Sequence, residues 1–375
     1  MKKVLAIAAA AVLSASVLAG CTGGTDQSAG GDTVTIGGIG PLTGDAASYG
    51  ISVKNGGELA VEEINAAGGI NGKQIVYLYE DDENDAQKAI NAYNRLMDQG
   101  MQVLMGTVTS NPCIAVADES VKDGILQLSP SGSAKDCTKN PNGFRICFTD
   151  PQQGEKMAEY IWNEEKLTKI AVIYDSSDSY STGIKDAFRE KFTALGGTVV
   201  TEEAFVSGDK DFKAQLTKIS GTDAEGLFLP FYYTEVAYVV DQAKSLGLQL
   251  PYFGCDGWDG VIDQLKGNTE AIEGAVFLTP FIATAEKENI AQFVQAYEAK
   301  YNETPDQFAA DAYDAIYVIK AAIEKAGEMD NDKIIQAMTE IEVDGVTGQM
   351  SFTADGEPDK VANFAVIQNG EYIIK

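Results

Sequence analysis

Two hydroxyl-rich loops carry residue types that suit ligand chemistry. Ser110 comes after the apolar run Val103–Met105 and Gly106, and Ser129-Pro130-Ser131-Gly132-Ser133 comes after the run Ile125–Leu128. Between them Ile114, Val116, Ala117 and Val121 recur near helical spacing until Gly124 stops them. Ser110 sits where a helix N-cap belongs, with Pro112 in the first turn, where a missing N–H is harmless. Hydroxyls and free N–H groups beside a helix N-terminus suit a small anion such as a carboxylate. In a parallel α/β sheet both loops leave the carboxyl ends of neighbouring strands, where ligands bind. Two ordinary strand-to-helix loops with a normal cap are the plainer alternative.

The second half of the chain offers the complementary chemistry. Ser176, Ser177, Ser179 and Tyr180 follow Tyr174; Phe231, Tyr232 and Tyr233 follow the run Gly226–Leu229; Cys255-Asp256-Gly257-Trp258 follow Tyr252–Gly254. One carboxylate and several phenols at strand ends suit a cationic group beside an apolar moiety. Solvated loops, with aromatics merely capping a core, are the alternative. Tyr49 closes the glycine-rich loop after Val34–Ile39, just before a helix, and is positioned to face whatever that loop lines. The loop is not a dinucleotide fingerprint, because Pro41 lacks an N–H and position 43 is Thr43 where a glycine is needed. The acidic run Glu80–Glu83 lacks the glycine and spacing of a calcium loop and reads as a solvated charge cluster. No cofactor and no metal are expected. The chain has no histidine, which excludes imidazole catalysis and His metal sites.

The elements that must position these residues alternate. Strand Val34–Ile39, a helix through Leu59, Val61 and Ile64, strand Gln74–Tyr79 and helix Asp85–Met97 lead into the first loop region, the pattern of a doubly wound parallel sheet. Strand Phe144–Thr149 reaches Asp150-Pro151, where the rhythm changes, and from Lys169 the alternation begins again. Two similar α/β lobes are expected. Long amphipathic helices at Glu286–Tyr301 and Gln307–Ala326, a third at Lys333–Ile341 and a terminal hairpin follow; helices this late most economically return to the first lobe.

The first residues stand apart. Lys2-Lys3, the apolar Val4–Leu18 and Val17-Leu18-Ala19-Gly20-Cys21 form a signal peptide over residues 1–20 that ends in a bacterial lipobox. Cleavage before Cys21 and lipidation of its thiol are expected, with residues 21–32 as a flexible tether. The expected place is therefore the extracytoplasmic face of the cell membrane, held by the lipid. A formal charge of −28 repels nucleic acid and anionic lipid heads. An exported chain permits disulfides, and four cysteines besides Cys21 allow three pairings. If Ser110 and Ser133 converge on one ligand, Cys113 and Cys137 lie close enough to bridge, and a Cys113–Cys137 disulfide is expected; two reduced thiols are the alternative. Cys147 reads as a buried small hydrophobe.

The stretches I-G-G-I-G-P-L-T-G-D-A-A-S-Y-G (36–50), I-N-A-A-G-G-I-N-G-K (64–73), Y-E-D-D (79–82), S-P-S-G-S (129–133), D-P-Q-Q-G (150–154) and F-Y-Y-T-E (231–235) resemble the Leu/Ile/Val-binding protein family, the substrate-binding components of branched-chain amino-acid ABC transporters. The resemblance covers nearly everything from Val34 to Lys375. It implies a type I periplasmic-binding-protein clamshell: two doubly wound α/β lobes joined by a three-crossing hinge, lobe I being residues 33–150 plus 281–346 and lobe II residues 151–280 plus 347–375. It also implies a monomer that binds a free amino acid, branched-chain or otherwise hydrophobic, and delivers it to permease subunits without catalysis. By position, Ser110 and Ser133 match hydroxyls that hold the ligand α-carboxylate, and Ser131 matches the residue giving a backbone N–H. Tyr49, Tyr180 and Tyr232 match the aromatic residues around the ligand. Asp256 matches the acidic residue that receives the α-ammonium, where the family commonly has Glu, and Trp258 beside it is expected to reshape the side-chain pocket. Another small ligand (an amide or an aromatic acid) and a sensory ligand-binding module are the alternatives; Asp256 argues against a ligand with no cationic group.

Overall fold

The computed structural model describes residues 33–284, 286–360 and 362–375. The expected signal peptide, the lipidated Cys21 and the tether lie outside the described residues. The first sheet is built from β1 (Thr33–Gly40), β2 (Gln74–Asp81), β3 (Val103–Gly106), β4 (Gln127–Ser129) and β5 (Gly143–Arg145), alternating with α1 (Ala47–Ala66), α2 (Ala86–Asp98) and α3 (Ser110–Asp123). All five strands are parallel, in the order β2-β1-β3-β4-β5. Every residue of β3 is buried, as expected for a strand covered on both faces by helices. Asp85 caps α2, its side chain accepting from Lys88 N at 2.9 Å, and Ala89, Ala92, Tyr93 and Leu96 form the buried stripe of that helix.

A capping box in which Thr149 and Gln152 satisfy one another's backbone N–H groups starts α4 (Asp150–Tyr160). It is followed by β6 (Lys169–Asp175), α5 (Ser179–Ala194), β7 (Thr198–Phe205), α6 (Lys213–Ser220), β8 (Gly226–Phe228), α7 (Tyr233–Ser245), β9 (Tyr252–Phe253), α8 (Val261–Gln264) and β10 (Val276–Thr279). The chain then forms α9 (Glu288–Tyr301), α10 (Gln307–Ala326), α11 (Asn331–Met338), β11 (Glu342–Gly345), β12 (Gly348–Ser351), β13 (Asn363–Gln368) and β14 (Glu371–Ile374). The second sheet runs β14-β13-β10-β9-β8-β6-β7, with β13 and β14 antiparallel to their neighbours. The late helices do return: α10 packs along α1 and reaches β3 and β4. The chain therefore crosses between the sheets three times, after β5, after β10 and before β13. The small hairpin β11–β12 is a sheet of its own, and position 346/347 falls in its turn.

Three readings of the sequence need correction. The helix after β3 begins one residue earlier than a cap at Ser110 requires: Thr109 is the extended N-cap residue and Ser110 is the first helical residue. Cys113 and Cys137 are free thiols, not a disulfide. They share one small buried cluster with Ala134, where Cys137 Sγ donates to Ser110 O (3.7 Å) and Gln127 Nε2 donates to Cys113 Sγ (3.3 Å), so each sulfur has a hydrogen-bond partner without a bridge. The acidic run is not simply solvated. Asp82 is fully buried, and burial pushes its carboxyl up to about 7; Asp81 accepts from Leu42 N at 2.8 Å and Thr43 Oγ1 at 2.7 Å, tying β2 to the loop before α1.

Candidate functional site

The strand-end loops of both sheets meet around one small cavity lined by Tyr49, Ser131, Tyr180, Tyr232 and Asp256, together with Val108, Thr109, Gly257 and Phe308. It has room for about one water. Five of the seven residues expected to meet a ligand thus share one lining. Ser110 and Ser133 are buried close by but do not reach it.

From the first sheet, the hydroxyl loops interlock. Ser131 Oγ donates to Val108 O at 2.6 Å and Ser129 Oγ to Thr107 O at 2.6 Å, which pins the loop after β4 against the loop after β3. Ser110 Oγ accepts from Ala134 N at 3.1 Å instead of capping its own helix. Ser133 Oγ is buried without a partner. Behind this loop stands Arg145, a fully buried residue that sequence reasoning passed over. Its guanidinium donates to the carbonyls of Gly132 (2.9 Å) and Ala134 (3.0 Å), to Thr138 Oγ1 (3.0 Å) and to Glu357 (3.0 Å). A planar donor fork suits such fixed, converging acceptors.

From the second sheet, a turn of 3-10 helix at Asp256–Trp258 presents Asp256. Tyr180 Oη donates to Asp256 Oδ1 at 2.6 Å and accepts from Gly257 N at 2.8 Å. Gln153 Oε1 accepts from Asp256 N at 3.0 Å, and Gln307 Nε2 donates to Asp256 O at 2.5 Å. Burial pushes the Asp256 carboxyl up to about 6, with the bond from Tyr180 acting the other way. Gly257 is required here: a Cβ would stand 2.6 Å from Tyr180 Oη and 2.9 Å from the Tyr232 ring. Trp258, expected to shape the pocket, points away from it; its indole N–H is bonded to Leu229 O at 2.8 Å within the core of the second sheet.

Aromatic rings join the two sides. Tyr180 stacks on Tyr232 with centroids 4.9 Å apart, and Tyr49 stacks on Phe308 at 4.1 Å. Tyr49 Oη donates to Gly257 O at 2.5 Å, Thr234 Oγ1 to Asp45 O at 2.8 Å, and Asn111 Nδ2 to Ser177 O at 3.1 Å, so the lobes are closed on each other. Tyr49 sits in the first turn of α1, not in the loop before it. Phe308 occupies the corresponding place on α10, whose cap Asp306 accepts from Ala309 N at 2.9 Å. The sequence predicts a helix from Gln307 but carries no sign that Phe308 faces the site. Tyr232 also borders a larger polar cavity of about 220 Å³ lined by Asp45, Glu83, Asp175, Asp178 and Glu235 among others. Among the described residues, no cluster of acidic and cysteine side chains is arranged to hold a metal ion.

The profile of the periplasmic binding proteins matches residues 33–371. The chain is 35% identical to "Leu/Ile/Val-binding protein homolog 3" of Brucella melitensis over 80% of its own length and 82% of the relative's. The chain belongs to the Leu/Ile/Val-binding protein family. A second relative, the leucine-, isoleucine-, valine-, threonine- and alanine-binding protein of Pseudomonas aeruginosa, is 30% identical over 87% of each chain. Among solved structures, the branched-chain amino acid transporter substrate binding protein LivJ of Streptococcus pneumoniae, in complex with isoleucine, is 33% identical with a TM-score of 0.84, over 92% of this chain and all of that one. The leucine binding protein LivK of Thermotoga maritima gives a TM-score of 0.85 at 28% identity, over 91% of this chain and 97% of that one. The family fold of two α/β lobes around a central site is the architecture described above.

Proposed function

We propose that the protein captures a free hydrophobic amino acid, branched-chain by preference, between its lobes and hands it to the permease of an ABC transporter, without chemical turnover. The observation that carries the proposal is the pairing of opposite chemistries across one closed site. Asp256 lies on the second-sheet side, and the serine loop lies on the first. In this reading Asp256 receives the ammonium, while Ser110, Ser133 and the N–H of Ser131 take the carboxylate. The Ser131 hydroxyl is already committed to Val108 O, which leaves its N–H as the group to offer. Tyr49, Tyr180 and Tyr232 enclose the apolar part of the ligand. The isoleucine bound by the pneumococcal relative supports this choice of ligand class. A cavity the size of one water admits no amino acid, so entry requires the lobes to part, and a zwitterion that engages both sides favours reclosure. The lobes proposed are residues 33–150 plus 281–346 and residues 151–280 plus 347–375. A lipid on Cys21 would hold this monomeric clamshell at the outer face of the membrane. A thermal-shift panel of the chain from Thr22 with the twenty amino acids tests the proposal. A rise with leucine, isoleucine or valine that is absent in Asp256→Asn supports it. No rise with any amino acid overturns it.

A further inference from the structure

The carboxyl of Asp150 is buried with neither oxygen in a well-formed hydrogen bond, and the one hydroxyl beside it, Ser133 Oγ, has no better partner of its own. Asp150 opens α4 at the first crossing between the sheets, in the D-P-Q-Q-G stretch that none of the roles above uses. Two other orphaned groups belong to the same neighbourhood, Ser133 Oγ and Gln153 Nε2. Backbone bonds tie the three to the site: Asp150 N donates to Ser133 O at 3.1 Å, and Gln153 Oε1 accepts from Asp256 N at 3.0 Å. α5 packs closely against the carboxyl: a Cβ on Gly183 would stand 3.0 Å from Asp150 Oδ2. Arg145, whose charge acts on it, turns its two terminal nitrogens to the carbonyls of Gly132 and Ala134 and to Thr138 and Glu357, and its Nε stays without a partner. Burial holds the Asp150 carboxyl well above the usual carboxylate range; the Ser133 hydroxyl acts the other way, and the nearby Asp256 charge adds to the rise. A buried acid without partners is costly and uncommon in a native protein, and it becomes intelligible if the partner is a ligand.

We propose that Asp150 is a further ligand-recognition residue, a second acidic acceptor that shares the ligand's ammonium group with Asp256. The proposal rests on the amino-acid reading above. Its consequence is selectivity for a free amino group: a ligand with no cation would leave both carboxyls desolvated and unpaired.

Titration calorimetry with leucine and with 4-methylpentanoate, the same skeleton without the amino group, separates the outcomes. For Asp150→Asn, which keeps the shape, leucine affinity falls about tenfold or more, as for loss of a charge-assisted hydrogen bond, while affinity for 4-methylpentanoate holds or rises. Unchanged leucine affinity overturns the proposal alone, and so does an equal loss for both compounds, which marks a structural role. A wild type that binds no amino acid overturns the amino-acid reading and this proposal with it. If Asp150→Asn does not fold, Asp150→Ser, which leaves room for water, is measured in the same way.

Discussion

The Tyr180 hydroxyl donates to Asp256 Oδ1 at 2.6 Å while accepting the Gly257 N–H at 2.8 Å. One phenol thus fixes both the direction of the Asp256 carboxylate and the turn that carries it. Tyr180→Phe removes the hydroxyl, leaves a buried N–H unpaired and lets the Asp256 carboxyl rise further. Leucine affinity measured by calorimetry is expected to fall about tenfold, in line with loss of a hydrogen bond to a charged group.

Ligand binding should depend on pH through Asp256. Its carboxyl stands at about 6, and only the ionised form attracts an ammonium. Affinity for leucine, constant above neutrality, should decline about tenfold between pH 7 and pH 5. A flat profile across that range would show that Asp256 is not the group that receives the charge.

The stability of the unliganded protein should run the opposite way. Burial raises Asp82, Asp178, Glu235 and Asp311 to about 7 and Asp256 to about 6, all above their values in an unfolded chain. The native state therefore keeps protons that the unfolded chain has lost between about pH 4 and pH 7, and stability falls as pH rises through that window. A net charge of −28 adds self-repulsion at the upper end. The melting temperature without ligand should be higher at pH 5 than at pH 8, a difference read directly by calorimetric scans.

Lys360 is buried with its ammonium 2.9 Å from Asp311 and 2.7 Å from Thr347 Oγ1, while Asp314 accepts the N–H groups of Val346 at 2.9 Å and Thr347 at 2.8 Å. This network fastens the segment around the hairpin β11–β12 to α10. Lys360→Met should cost about 3–5 kcal/mol in urea unfolding, because it strands a buried carboxylate. The double variant Lys360→Met/Asp311→Asn should recover part of the loss.

Local rules made much of this protein legible in its sequence. Apolar runs ended by glycine and Gly124 after α3 marked the alternating elements, because burial on both faces and helix ends constrain composition directly. The two hydroxyl loops, Tyr180, Tyr232 and Asp256 could be read as site candidates, since strand ends in parallel sheets are where ligands sit. Contacts between residues far apart in the chain were decided only by the tertiary structure. Phe308 comes to Tyr49 across more than 250 positions, and Arg145 reaches over the serine loop to Glu357. Trp258 turned into the core because Leu229 O supplied its indole with a partner, and Cys113 and Cys137 found hydrogen bonds in place of a bridge. Asp82 and Asp150 look like ordinary acidic residues in the sequence. Their burial, and with it their unusual protonation, exists only once the sheets and helices close around them.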